Sequence, residues 1–245
     1  MDNISSTDHY PLQITGTFVP ELSRGLWLIK WLLAVPHYIV LLFLWLAFAV
    51  VSVISFFAII IVGRYPRALF DFNVGVLRWS WRVGFYSYSA LGTDQYPPFT
   101  LKDDPNYPAR LEVEYPASLS RGLVLVKWWL LALPHYLIIG VFTGAAFAGY
   151  SQVNDGNVWA YGGGLIGLLV FISGIILLFV GRYPSGLYDL VLGMNRWAFR
   201  VAAYVGLMTD VYPPFRLDMG GEESLPLGVG VGVGPSPFTP TPVLS

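Results

Sequence analysis

GRYPRALFDFNVGVLRWSWRV, Gly63–Val83, is the stretch that decides how this chain is read, because it returns as GRYPSGLYDLVLGMNRWAFRV at Gly181–Val201. About half of the positions are identical, among them Arg64/Arg182, Asp71/Asp189, Arg78/Arg196, Trp79/Trp197 and Arg82/Arg200. Each copy follows a long apolar run and leads into a YPPF turn, Tyr96–Phe99 and Tyr212–Phe215. Upstream, LSRGLWLIKW (Leu22–Trp31) comes back as LSRGLVLVKW (Leu119–Trp128). The chain is two tandem copies of one unit, residues 10–101 and 107–218. They lie between a polar arm, 1–9, and a Gly/Val/Pro tail, 219–245, both expected to be disordered.

Composition places the unit in a membrane. Hydrophobic residues make up 55% and charged residues 12% of the chain, and the mean hydropathy is +0.59. A soluble domain carries about twice that share of charge. Trp and Tyr cluster at the ends of the apolar runs, where amphipathic rings favour the headgroup level. The net charge of −1 gives no footing for nucleic acid, and the lack of Cys excludes disulfides, thiolate metal sites and Cys nucleophiles. The first residues, MDNISSTDHYPLQITG, have no basic region followed by an apolar core, so no signal peptide is expected.

Leu26–Val62 is a nearly unbroken apolar run that would be about 55 Å long as one helix, against a hydrocarbon core of about 30 Å. A break is therefore expected. It is either a kink at Pro36 followed by one span, His37–Val62, or a tight turn near Leu46–Val53 that makes a hairpin of two short spans. The second copy carries an extra stretch containing SQVNDGNVW, Ser151–Trp159, which suggests spans near Trp128–Tyr150 and Ala160–Val180 joined by a polar loop. A hairpin in both copies puts the Lys and Arg residues on one side, which the positive-inside rule makes the cytoplasm.

After each GRYP the pattern is helical. Arg67, Asp71, Gly75, Arg78 and Arg82 form one polar stripe, and Ser185, Asp189, Gly193, Arg196 and Arg200 repeat it. A central Arg costs about 2.5–3.5 kcal/mol in a spanning helix, so these segments are expected to lie in the interface as amphipathic helices. Four short strands, Leu12–Phe18, Phe99–Lys102, Ala109–Tyr115 and Phe215–Asp218, are expected to pool into a small cytoplasmic β-sheet. The expected fold is thus an α-helical integral membrane protein of two repeats. Each repeat is a transmembrane helical hairpin plus an in-plane amphipathic helix, and the two share that sheet.

The motifs LSRGL…KW…PHY, GRYP…L…D…G…RW…RV and TD.YPPF resemble the bacterial DUF4389 family of membrane proteins. The resemblance covers roughly residues 10–101 and 107–218. It implies a membrane location and carries over no catalytic residues. The hairpin reading and the positive-inside rule add the expectation of a multi-pass protein of the bacterial inner membrane with cytoplasmic termini.

Three sets of residues recur in both copies. His37 and His135, each in PHY, lack a second His or a carboxylate at ligand spacing. No metal or cofactor is expected there, and the simplest role is a hydrogen bond to a carbonyl freed by Pro36 or Pro134. Asp71 has no Ser or His at helical spacing, and Asp189 has Ser185 four residues earlier but no His, so no nucleophile system is expected. Asp71 has Arg67 four residues earlier as an ion-pair partner. Arg64, Arg78, Arg82, Arg182, Arg196 and Arg200 are candidates for anionic lipid headgroups or a partner protein, each worth about 1 kcal/mol at an anionic surface. Functionally, these features suggest a structural, accessory or lipid-organising membrane component acting with lipids, a protein partner or further copies of itself. The alternatives are a small oligomeric transporter or channel, and a lipid-modifying enzyme.

Overall fold

The computed structural model describes residues 10–17, 19, 22–144 and 164–219. It is mostly helical. The elements are β1 (Leu12–Gly16), α1 (Trp27–Val62), α2 (Arg67–Tyr86), β2 (Ala109–Val113), α3 (Arg121–Val126), a π-helical turn (Lys127–Leu131), α4 (Leu133–Thr143), α5 (Gly164–Val180) and α6 (Ser185–Val205).

The first correction concerns α1, a single helix of 36 residues with Pro36 inside it. Neither a break nor a hairpin forms near Leu46–Val53. The reason is local: Trp27–Val62 contains no Gly or Asn, so nothing stops the helix before Gly63. Gly63 takes the left-handed conformation (φ 76°), and its N–H donates to Ile59 O at 2.8 Å. Pro66 then caps α2 from an extended conformation. Gly181 (φ 76°, N–H to Leu177 O, 2.9 Å) and Pro184 do the same between α5 and α6. GRYP is therefore a helix-stop-and-restart signal that folds the second helix back along the first.

The second copy is built to the same plan with two insertions. Seven residues lie between Lys127 and His135, one more than lie between Lys30 and His37. The π-helical turn absorbs the extra residue, as such turns do, and the chain bends by 45° there. The larger insertion falls between α4 and α5. A Cβ on Gly164 would stand 2.1 Å from Gly144 N and 2.6 Å from Phe142 O, so α5 begins where α4 stops. His135 and Phe142 of α4 meet Trp197 of α6, while α5 joins the start of α6 through the Gly181–Pro184 turn. α4 and α5 therefore follow one another along α6, as a broken counterpart of α1 rather than as an antiparallel hairpin. The loop Ser151–Trp159 lies outside the described residues.

The sheet has two strands among the described residues, not four. β1 and β2 are antiparallel, in the register Leu12↔Val113, Ile14↔Leu111 and Gly16↔Ala109. Phe99–Lys102 and Phe215–Asp218 are irregular. Their carbonyls are taken by arginines: Arg82 donates to Thr100 O, and Arg196 Nη1 to Asp218 O at 2.7 Å. Gly75 and Gly193 let these segments lie directly on the helices, since a Cβ on Gly75 would come 2.8 Å from Leu101 Cβ.

The repeats are related by an approximate twofold through the β1–β2 pair, and they exchange their strands. Arg78 Nε of α2 donates to Leu111 O of β2 at 2.9 Å, and Arg196 Nε of α6 donates to Ile14 O of β1 at 3.0 Å. Tyr107 OH reaches Gln95 O and Tyr10 OH reaches Val211 O, each at 3.1 Å. Each N-terminal strand thus covers the helix of the other repeat. The result is layered, with α1 and α4–α5 outermost, α2 and α6 in the middle, and the strands behind them. A second correction follows. Past their first turns, which leave Arg67, Asp71 and Ser185 exposed, α2 and α6 do not present a wet polar stripe, because they are packed on both sides.

Candidate functional site

Each repeat builds the same aromatic box around its histidine. His37 is fully buried, stacks on Phe99 (3.9 Å between centroids, 16°) and touches Tyr96 at 4.9 Å. His135 stacks on Phe215 (4.4 Å, 13°) and touches Tyr212 at 4.9 Å. Trp79 Nε1 donates to His37 Nδ1, and Trp197 Nε1 to His135 Nδ1, each at 3.0 Å. An accepting Nδ1 carries no proton, so the hydrogen of each neutral ring is on Nε2. Neither Nε2 has a hydrogen-bond partner among the described residues.

This differs from the role expected for PHY. The histidines accept from indoles instead of donating to a carbonyl. The carbonyls three residues before the prolines, Leu33 O and Leu131 O, are taken by Tyr96 OH and Tyr212 OH, both at 3.1 Å. Here PHY and YPPF meet: the tyrosine of the turn bonds the helix one carbonyl beyond the one that the proline leaves without its N–H donor, and the phenylalanine covers the histidine. The two histidines are not brought together, since the ring contacts of each come from its own repeat. No group of three His, Cys, Asp or Glu side chains converges among the described residues.

Beside each box sits a buried ion pair that sequence reasoning missed. Lys30 is 1% exposed, forms an ion pair with Asp94 Oδ1 at 2.8 Å and donates to Thr93 O at 2.6 Å. Lys127 is fully buried, with Asp210 Oδ1 at 2.9 Å and Thr209 O at 3.0 Å. The same carboxylates accept from the Ser23 and Ser120 amides, each at 2.6 Å. Burial alone would push the Asp94 carboxyl up, but the Lys30 ammonium and the Ser23 amide together hold it below the usual aspartate value. The signal was present in the repeated K and TD of both copies. What sequence lacked was the fold-back that brings them together across more than sixty residues.

The six arginine candidates separate into two kinds. Arg82, Arg196 and Arg200 are buried and hold the segments after YPPF, Arg200 Nη1 reaching Asp218 Oδ2 at 2.6 Å. Arg78 is half-buried and pairs with Glu112 at 2.5 Å. Arg64 and Arg182 are exposed. Each follows a helix-stopping glycine, and an exposed arginine of the other repeat lies against that glycine: Arg121 at Gly63, Arg24 at Gly181. Arg64 with Arg121, and Arg24 with Arg182, form two basic corners. Asp71 is exposed and pairs with Arg67 at 3.1 Å, and Asp189 is half-buried on α6.

The outer layer is apolar and uncharged. α1 has no charged residue between Lys30 and Val62, and α5 has none. Leu46 (59% exposed), Ile61 (72%) and Phe179 (78%) are typical of its outward face. Between α1 and the end of α6 it opens into a cavity of about 540 Å³ lined by Trp45, Phe48, Ser52, Phe56, Trp128 and Leu207. The equivalent space in the other half is taken by Trp27, whose ring lies 3.1 Å from where a Cβ on Gly174 would be.

Neither the curated proteins nor the solved structures yield a match. The model of the family described as "Domain of unknown function (DUF4389)" matches residues 24–100 and 156–216, more than half of the chain and one segment in each repeat. With the repeated motifs now placed in one repeated architecture, the chain belongs to the DUF4389 family.

Proposed function

We propose that the protein is a structural or lipid-organising component of a membrane, seated through its outer helical layer and holding anionic lipid at its basic corners. The observation that carries this reading is the uncharged outward face of α1, α4 and α5. It leaves large apolar side chains uncovered along α1, α4 and α5. In water such a face promotes association, whereas in a bilayer it is solvated. The corners Arg64/Arg121 and Arg24/Arg182 stand at the ends of this face, where headgroups meet it. Guanidinium groups suit phosphate because they offer several donors in one plane. The open cavity is apolar and has room for part of an acyl chain.

The test is flotation with vesicles of phosphatidylcholine alone or with added phosphatidylglycerol. Wild type floats with both and enriches phosphatidylglycerol around itself. Replacing Arg24, Arg64, Arg121 and Arg182 with Gln keeps flotation and removes the enrichment. A protein that stays in the lower fractions would refute membrane seating, and unchanged enrichment in the variant would refute the corners.

A further inference from the structure

Granting the membrane seating just proposed, we infer that the protein lies along one leaflet and does not cross the bilayer. The partner of its apolar face is then the acyl region of a single leaflet, met side-on by α1 and the α4–α5 line.

Three observations carry this. The first is length. α1 has 36 residues, about 54 Å, while the hydrocarbon core is about 30 Å thick. A lengthwise crossing would need a tilt of roughly 55°, outside the range of about 0–40° that spanning helices show.

The second is where the charges stand along that length. α1 and α2 are antiparallel, held by Tyr38 to Ser87 (2.9 Å), Trp45 to Ser80 (3.1 Å) and Asn73 to Ser52 (3.2 Å). Arg78 is therefore level with the middle of α1. Arg78 binds Glu112 and Leu111 O on β2, and Arg110 beside them pairs with Asp103 at 2.6 Å. The half-buried charges and strand edges of the rear layer thus lie level with the midpoint of α1. A crossing protein would hold them at the bilayer centre, where unpaired backbone and charge are least tolerated. A protein lying flat keeps them in water, a full layer away from lipid.

The third is the twofold. It places Arg24/Arg182 at one end of the long helices and Arg64/Arg121 at the other. A crossing orientation would divide the two corners between opposite sides of the membrane. Lying flat brings both to the headgroups of one leaflet, with the twofold along the membrane normal. This is the charge complement of a single anionic surface.

Labelling of the full chain tests the inference, since native Cys is absent. Gly25 and Gly122 have open space where a side chain would start and sit at opposite ends of the molecule, and Glu114 is exposed on the strand side. Gly25→Cys, Gly122→Cys and Glu114→Cys are each treated with a membrane-impermeant maleimide in sealed right-side-out and inverted vesicles. All three should react in the same one of the two preparations. Reaction of Gly25→Cys and Gly122→Cys in opposite preparations would overturn the inference and leave membrane seating intact. Nitroxides at Ile29, Leu46 and Ile61 give an independent reading. Lying flat predicts equal depth at all three, and a deep Leu46 between shallow ends would overturn it. A chain that does not pellet with vesicles and instead pairs face to face in solution would refute both this inference and the seating it rests on.

Discussion

At the residue scale, the Lys30–Asp94 pair shows how a burial cost is offset. A 1% exposed ammonium is stable only while its carboxylate and the Thr93 carbonyl face it. Asp94→Ala leaves that charge uncompensated, and a loss of about 3–5 kcal/mol is expected. Denaturant unfolding in detergent checks it, with Lys30→Met/Asp94→Leu expected to recover most of the loss. The pH sign is fixed by the direction of the Asp94 shift. Its folded value lies below its ordinary 3.8, so its contribution is complete above pH 3.8 and is lost as pH falls through the depressed value. Asp94→Asn should remove this acid-limb dependence from the unfolding profile. The repeat glycines make a second residue-scale test. Gly75→Ala gains up to about 1 kcal/mol of helix propensity but drives a Cβ to 2.8 Å from Leu101, so net destabilisation is expected. Gly186→Ala, with open space at its Cβ, should stabilise by up to about 1 kcal/mol in the same assay.

At the element scale, the two copies are a natural experiment on helix register. One extra residue between Lys127 and His135 would turn the following helix by about 100° if it stayed α-helical. The π-helical turn takes up that rotation, and both Lys127–Asp210 and His135–Trp197 keep the distances of their counterparts. Deleting Trp129 makes the spacing that of the first copy. The turn should revert to α-helix with both contacts kept, visible as an unchanged pattern of histidine ring resonances and a melting temperature within a few degrees of wild type. Loss of the His135–Trp197 contact in the deletion would show that the turn has a role beyond register. The repeats, the stripes and the helical nature of 67–86 and 185–205 were legible from period and motif alone. The continuity of α1 was misread because a length argument drawn from bilayer thickness was set above the local absence of a stop signal. The four-stranded sheet was misread because alternation signals extended backbone without naming its partner, and here arginine took that place.

At the scale of the whole molecule, strand exchange ties the repeats together. β1 covers α6 and β2 covers α2, so a repeat cut at the duplication boundary loses its own cover. Residues 1–105 and 106–245 produced separately are expected to aggregate, and produced together to co-purify as one complex that melts cooperatively. Independent folding of either half would refute the exchange. The basic corners also exist only at this scale, since each takes one arginine from each repeat.

That two copies of one apolar, aromatic-flanked unit are joined, where helices stop at GRYP, and which residues recur can all be read along the chain. These are properties of neighbours along the chain: periodicity, left-handed glycine, proline, charge content. Folding in three dimensions sets the rest: the arginines of the stripes face carbonyls, PHY meets YPPF, and K meets TD. It also places Arg78, Glu112 and Arg110 level with the middle of the longest helix. Those facts depend on which surfaces meet after the chain turns back on itself. The free energy of that meeting comes from desolvation and pairing between residues far apart in sequence, which no local pattern encodes.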